Sequence, residues 1–502
     1  MPPIASLPPI STWRSLISRT ILSQSPDSLV RNLPNRILLA SPTLCDSFVS
    51  SLQLRPDEII LDTFAGPGQL SRSLLYPKQG HLPKKVVVIE PSRPVLAAGF
   101  GLKTKATPTS EWATMTQFEI PPTEVYEIEE ESRLLLSPSS PYRWNVISDI
   151  MRNELLKPFL PKIPKWEEEM PTITLVGQMP CSLVGEQLMS QWIGTVVGGN
   201  KKPWIWEWGR VRMAILLSPS LYDIIACEMS TKTGRSDKKR LLTSKRIMAQ
   251  PGEKSYCKLS VMSQALFHLT PLPPYHHNSN PDKRARSSIR SNPKSGSKSQ
   301  LNDPAEHSTK SSPLPQSSDT VISSGSSISS DSSTSFDSST SSTAFDSSDL
   351  PNLRPPIPPI TPTLISDFYP RPFRKGINID DPLPRPLLLG IQFEPRISSP
   401  VLPNQKDTWD FVLRKGFVLP NRPLKSVLKT FGFGAESLIG KVEGVNNGYK
   451  GLPTSGEILI SNLKVDEWAR VVDVFHKWPF KLEHLVLDAG SSDDSSRELG
   501  QI

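Results

Sequence analysis

Two short apolar runs, residues 59–61 and 86–89, flank a glycine turn and a helical pattern that reaches Leu75. The first run continues as Asp-Thr-Phe-Ala-Gly-Pro-Gly-Gln-Leu-Ser (62–71), and the second ends on Glu90. Short apolar, β-branched runs bounded by turn residues read as buried strands. With a helix between them they form a parallel crossover unit, and such units build doubly wound α/β sheets. Ligands of these sheets sit at the carboxyl edge of the strands. Asp62, Gly66, Gly68 and Glu90 fall at that edge, and a carboxylate there can accept both hydroxyls of a ribose. Gly66 and Gly68 permit backbone angles denied to other residues and let a ligand approach the main chain.

The loop is not a nicotinamide fingerprint, which needs a third glycine where this chain has Ser71. Pro67 between the first two glycines also departs from that pattern. An adenosine ligand without a pyrophosphate suits the loop better; the competing reading is a tight structural turn.

The chain has 502 residues, 52 of them proline, and a formal net charge of +8. A basic balance favours an anionic partner, nucleic acid before membrane. Four cysteines without paired spacing (Cys45, Cys181, Cys227, Cys257) give neither a zinc site nor a disulfide framework. No metal is expected, and no apolar run is long enough to span a bilayer. The first acidic residue is Asp27, and residues 12–23 are amphipathic with Arg14 and Arg19. That start predicts a mitochondrial presequence over residues 1–28.

Residues 29–277 read as the first part of one α/β domain. Residues 29–55, through the runs 35–42 and 43–52, read as its helical opening; residues 144–149 and 171–177 read as further strands, followed by a helix from Leu183 to Trp192. Residues 201–212 interleave four basic residues with three tryptophans. That mixture suits base stacking, but such tryptophans more often pack in a core. A strand is expected over 210–217 and a basic segment over 238–246. Residues 278–350 are a serine-rich insertion with too little apolar sequence to fold. The α/β domain resumes over 351–402, with its last strand at 387–393. Residues 403–480 form a small helical domain: Trp409, Val412, Leu413 and Phe417 make one apolar face, Leu424, Val427, Leu428 and Phe431 another, and residues 458–475 a third helical region. Arg422, Lys425 and Lys429 make its first half basic and are candidate nucleic-acid contacts. Residues 481–502 are a loose tail.

These motifs resemble the ribosomal RNA adenine dimethyltransferases and the mitochondrial transcription factor B proteins derived from them. Residues 61–71 follow the cofactor loop, and Glu90 the ribose acid. The run Val-Gly-Gln-Met-Pro-Cys (176–181) stands where the family has Val-Gly-Asn-Leu-Pro-Tyr. Tyr-Cys-Lys-Leu-Ser-Val (256–261), Phe-Tyr-Pro-Arg-Pro (368–372) and residues 417–428 match later family motifs. The resemblance implies a Rossmann-like class I methyltransferase sheet with a helical C-terminal domain, and S-adenosylmethionine as cofactor.

The resemblance also implies what is altered. The family Asn holds the target adenine amino group, and the aromatic stacks on the flipped base. Gln178, Met179, Pro180 and Cys181 occupy that motif in degraded form. Phe64 replaces the loop's first glycine, and Asn-Arg-Ile-Leu-Leu (35–39) lacks the family's Gly-Gln-Asn. Glu111 is a poor substitute for the acid expected after Glu90. The reading that follows is a transcription factor of the mitochondrial matrix, working with the mitochondrial RNA polymerase on promoter DNA, with S-adenosylmethionine binding weakened or lost. The alternative is a mitochondrial small-subunit rRNA adenine dimethyltransferase. A small-molecule methyltransferase leaves the helical domain and the basic balance unexplained.

Overall fold

A computed structural model describes residues 6–13, 36–102, 123–128, 131–198, 203–226, 256–275, 363–369, 382–383, 385–443 and 456–481. The described residues include ten strands and eleven α-helices. They are β1 (Leu38–Leu39), α1 (Pro42–Leu52), β2 (Ile59–Thr63), α2 (Gln69–Leu75), β3 (Lys85–Ile89), α3 (Arg93–Phe100), β4 (Tyr126–Ile128), β5 (Glu131–Ser137), α4 (Val146–Met151), β6 (Ile173–Gln178) and α5 (Leu183–Gly194). Then follow β7 (Arg212–Leu217), α6 (Pro219–Ile225), α7 (Lys258–Leu266), β8 (Phe267–Leu272), β9 (Phe368–Tyr369), β10 (Leu389–Pro395), α8 (Lys406–Val418), α9 (Leu424–Leu428), α10 (Ile439–Glu443) and α11 (Val465–His476).

The main sheet runs β4-β5-β3-β2-β6-β7-β10-β8. Strands β5, β3, β2, β6 and β7 are mutually parallel. Strand β10 lies antiparallel between β7 and β8. From β2 the chain first builds outward through β3 and β5, then returns to lay β6 and β7 on the other side. The order therefore reverses between β2 and β6, the place where doubly wound sheets open a crevice. This is the class I methyltransferase fold that the motifs imply.

Every residue of β2, β3, β6 and β7 is buried, as expected where helices cover both faces. Alternation divides them between two cores. Ile59, Leu61, Val87, Ile89, Leu175 and Ile215 face one, and Ile60, Val86, Val88, Val176, Ala214 and Leu216 the other.

Glu58, just ahead of β2, anchors the opposite edge. Its oxygens accept from the Arg212 guanidinium at 2.9 and 3.0 Å and from Arg55 at 2.8 Å, and the Thr174 hydroxyl also donates to it. Burial alone would raise this carboxyl, but the Arg212 and Arg55 guanidiniums hold it below its usual range.

Helices α8 and α11 join the first of the two cores. Phe411 and Phe475 stack at 5.5 Å, and Phe417 meets Trp468 at 5.5 Å. Tyr256 donates to the carbonyl of Leu463 at 2.8 Å, tying the start of α7 to the approach to α11. Trp409, Val412 and Leu413, and Leu424, Val427, Leu428 and Phe431, are buried as their spacing predicts.

Several local expectations need correction. Residues 144–149 do not form a strand. Their apolar positions Val146, Ile147 and Ile150 supply α4, since a run this short carries no period to separate the two states. Among the described residues of the opening, the helix covers Pro42–Leu52, while Leu38 and Leu39 pair antiparallel with Tyr369 and Phe368. Within residues 458–475, the α-helix begins only at Val465.

Of the presequence region, residues 6–13 are described. Trp13 is fully buried and meets Tyr369 edge-on at 5.4 Å, so this segment packs on the fold. The basic segment 238–246, the serine-rich insertion and nearly all of the tail lie outside the described residues. No helix among the described residues is long and apolar enough to cross a membrane.

Candidate functional site

Three strand ends meet at the carboxyl edge beside the switch point: residues 64–68 after β2, Glu90 after β3, and Gln178 at the end of β6 with residues 179–181 after it. Asp62 lies inside β2 and is fully buried. Its Oδ2 accepts from the Ser71 hydroxyl at 2.6 Å, while Oδ1 has no partner. Burial pushes its carboxyl up to about 7, with the Ser71 bond opposing. Phe64 holds φ +56, a left-handed angle that a phenylalanine adopts only under compensation. Here the ring is fully buried, 5.2 Å from the ring of Tyr142 and 5.6 Å from the Arg36 guanidinium carbon.

Glu90 is 1% exposed, and Arg36, from just before β1, closes on it. Arg36 donates Nη1 to Oε1 at 3.1 Å and Nη2 to Oε2 at 2.9 Å, and Nη2 also reaches the Phe64 carbonyl at 2.6 Å. The Gly66 N–H donates to Oε2 at 2.9 Å, and the Ser92 N–H to Oε1 at 3.4 Å. Gly66 and Gly68 adopt φ +62 and +90, which their lack of Cβ allows. Asp62, Gly66, Gly68 and Glu90 are thus brought together as their spacing implies. Arg36 was not among the expected site residues, although its place in the altered 35–39 run was a signal.

The motif after β6 is also drawn inward. Gln178 is 1% exposed: its Oε1 accepts from the Leu39 N–H at 2.8 Å, and its Nε2 lies 3.5 Å from the Ala65 carbonyl. Met179 is buried, and its N–H donates to the Leu216 carbonyl at 2.9 Å. Pro180 is held by the start of α5, where a Cβ on Gly185 would stand 2.0 Å from its carbonyl oxygen. Cys181 is half-buried, and burial pushes its thiol up to about 11, which leaves it protonated and weakly nucleophilic at neutral pH.

The tryptophan-rich run proves structural. Trp204, Trp206 and Trp208 are buried; Arg210 donates to the Trp166 carbonyl at 2.8 Å, and Arg212 is engaged with Glu58. Trp144 differs. It is 43% exposed, and its ring stacks on buried Trp204 at 6.2 Å, which in turn stacks on Trp192 at 4.7 Å. It lines an open depression of about 570 Å³ with Tyr142, Gln191, Thr195 and Lys406. Arg422, Lys425 and Lys429 are exposed on and beside α9, and Lys425 pairs with Glu457.

Dimethyladenosine transferase 1, mitochondrial, of Vermamoeba vermiformis is 26% identical to this chain over 272 residues. That match covers 52% of this chain and 66% of the relative, just under two thirds of its length. The resemblance to the adenine dimethyltransferases is borne out by this relative. No protein-family model matches the chain. A dimethyladenosine transferase from Plasmodium falciparum overlays at TM-score 0.37 and 10% identity, covering 88% of this chain and 98% of that one. The 23S rRNA methyltransferase ErmE overlays at TM-score 0.39 and 8% identity, covering 88% and 100%. The fold assignment rests on the strand order itself.

Proposed function

We propose that this chain is a mitochondrial transcription factor of the B type: a nucleic-acid-binding protein on a dimethyltransferase scaffold that assists the mitochondrial RNA polymerase at promoter DNA. The observation that carries this reading is the state of Gln178. A dimethyltransferase must aim an amide at the target amino group, and misplacing a reacting group by about 1 Å costs ~100-fold in rate. Here the Gln178 amide is spent on Leu39 and Ala65, inside the protein. Cys181 offers no ring face on which an extruded base could stack.

Binding of a single strand needs cations and aromatic platforms rather than a reacting geometry. Arg422 and Lys429 supply exposed charge, and Trp144 beside Lys406 supplies an aromatic face. The mitochondrial address is supported by the mitochondrial relative. The alternative, methylation of adjacent adenines in small-subunit rRNA, is favoured by the similarity to a chain named a mitochondrial dimethyladenosine transferase.

Two assays on the same preparation separate the readings: promoter-dependent RNA synthesis with the polymerase, and methyl transfer from S-adenosylmethionine to a small-subunit rRNA hairpin. Stimulated transcription without methylation is the expected result. Robust methylation that disappears in Gln178→Ala would put the enzyme reading first.

A further inference from the structure

We infer that the place an S-adenosyl cofactor would take at this sheet edge is filled by the chain's own side chains, Arg36 on Glu90, Leu38 on Gly66 and Phe100 on Gly68. A carboxylate offers about four acceptor positions. Glu90 has all of them engaged: Oε1 by Arg36 Nη1 and the Ser92 N–H, Oε2 by Arg36 Nη2 and the Gly66 N–H. A ribose diol would have to displace the two guanidinium bonds with neutral donors, and charge-assisted pairs of this bidentate kind are the stronger. The guanidinium would then be left 6% exposed with only the Phe64 carbonyl to accept from it.

The glycines give the same answer. A Cβ placed on Gly66 would lie 2.6 Å from Leu38 Cδ1, and one on Gly68 would lie 2.0 Å from Phe100 Cζ. The open faces that glycine normally leaves for a ligand are therefore already covered by side chains, and both of those side chains are buried. The loop has kept its glycines for packing against its own chain. The residues present do not fit the cofactor in this arrangement.

This inference deepens the non-methylating reading, because a chain that does not hold the donor cannot transfer its methyl group. It does not depend on the polymerase as partner.

The test is isothermal titration of the full chain with S-adenosylmethionine and S-adenosylhomocysteine, beside Arg36→Gln. The wild type should show no saturable binding up to about 1 mM, and Arg36→Gln should bind at least about tenfold more tightly than the wild type, since removing an internal competitor raises apparent affinity. Arg36→Lys is the second variant, in case the glutamine leaves Glu90 too exposed to its own burial for folding. It keeps the charge but covers one oxygen, and should give a smaller gain.

Tight binding by the wild type overturns the inference, while the transcription reading falls only if the rRNA hairpin is also methylated. Absence of binding by wild type, by both variants and by the Arg36→Gln/Phe100→Ala double variant, with folded circular dichroism spectra, also overturns it, because the filling side chains would then not be what excludes the ligand.

Discussion

Gln178 and Leu39, 139 positions apart in the chain, are joined by a 2.8 Å hydrogen bond from the Leu39 N–H to the Gln178 side-chain oxygen. The bond ties β1 to the end of β6, so a residue at the place of a family's catalytic amide holds backbone instead. Both partners are buried away from bulk solvent.

Gln178→Ala should therefore lower stability by about 1–3 kcal/mol, the cost of leaving a buried N–H unsatisfied. Gln178→Asn is a methylene short and should recover little of it. Equilibrium denaturation followed by circular dichroism measures both, and an unchanged midpoint for Gln178→Ala would contradict the arrangement.

Asp62 gives a pH signature of defined sign. Its folded carboxyl is raised to about 7, above its unfolded value of ~3.9, so the folded state binds the extra proton between those limits. Stability should fall as pH rises from about 4 to about 7, by up to about 4 kcal/mol, and then level off. Asp62→Asn can accept from Ser71 through its oxygen and carries no charge, so it should lose this slope and exceed the wild type in stability at pH 8. Melting temperatures at five pH values for the two proteins would show it.

Glu58 has the opposite sign. Its carboxyl is held below the usual range, so its contribution is present above the unfolded value of ~4.3 and is lost as pH falls through the folded one. Glu58→Gln should cost about 3–5 kcal/mol at neutral pH, because it leaves the Arg212 charge buried without its partner. Urea denaturation should show nearly the same difference between variant and wild type at pH 7 and pH 5, and a smaller one only as pH falls below the usual carboxylate range toward the folded value.

Trp13 should matter to stability although it lies in a segment that reads as a presequence. It is fully buried against Tyr369, and Trp13→Ala should cost about 3 kcal/mol through lost burial and an unfilled cavity. A variant that melts with the wild type would mean that residues 6–13 do not pack as described.

Nucleic-acid binding should separate stacking from charge. Trp144→Ala should weaken binding of a single strand by about 1–3 kcal/mol and leave the salt dependence unchanged. Lys429→Glu should flatten the salt dependence, by a slope change of ~0.7 or more, where this side chain meets a phosphate. Fluorescence titrations at several salt concentrations measure both. Trp144→Ala with wild-type affinity would remove the depression from the binding surface.

The doubly wound sheet was legible because its central strands are built on local, mostly apolar runs, and because glycines and acids mark their ends and the loops after them. Asp62, Gly66, Gly68 and Glu90 could be placed at one edge from spacing alone, since strand ends on a parallel sheet share an edge wherever they come in the chain. The tryptophans of residues 201–212 were likewise readable as core. Tertiary structure decided what those edge groups do. That Glu90 is closed by Arg36 depends on a guanidinium arriving from 54 positions away, and that Gln178 serves Leu39 depends on a strand pairing with β9, more than 320 positions further on. It also decided that residues 146–149 enter a helix, α4, rather than a strand, and that β10 enters antiparallel between β7 and β8. Local sequence sets which groups are buried and roughly where. Which buried donor meets which acceptor is settled only when distant segments are packed and every polar group must find a partner.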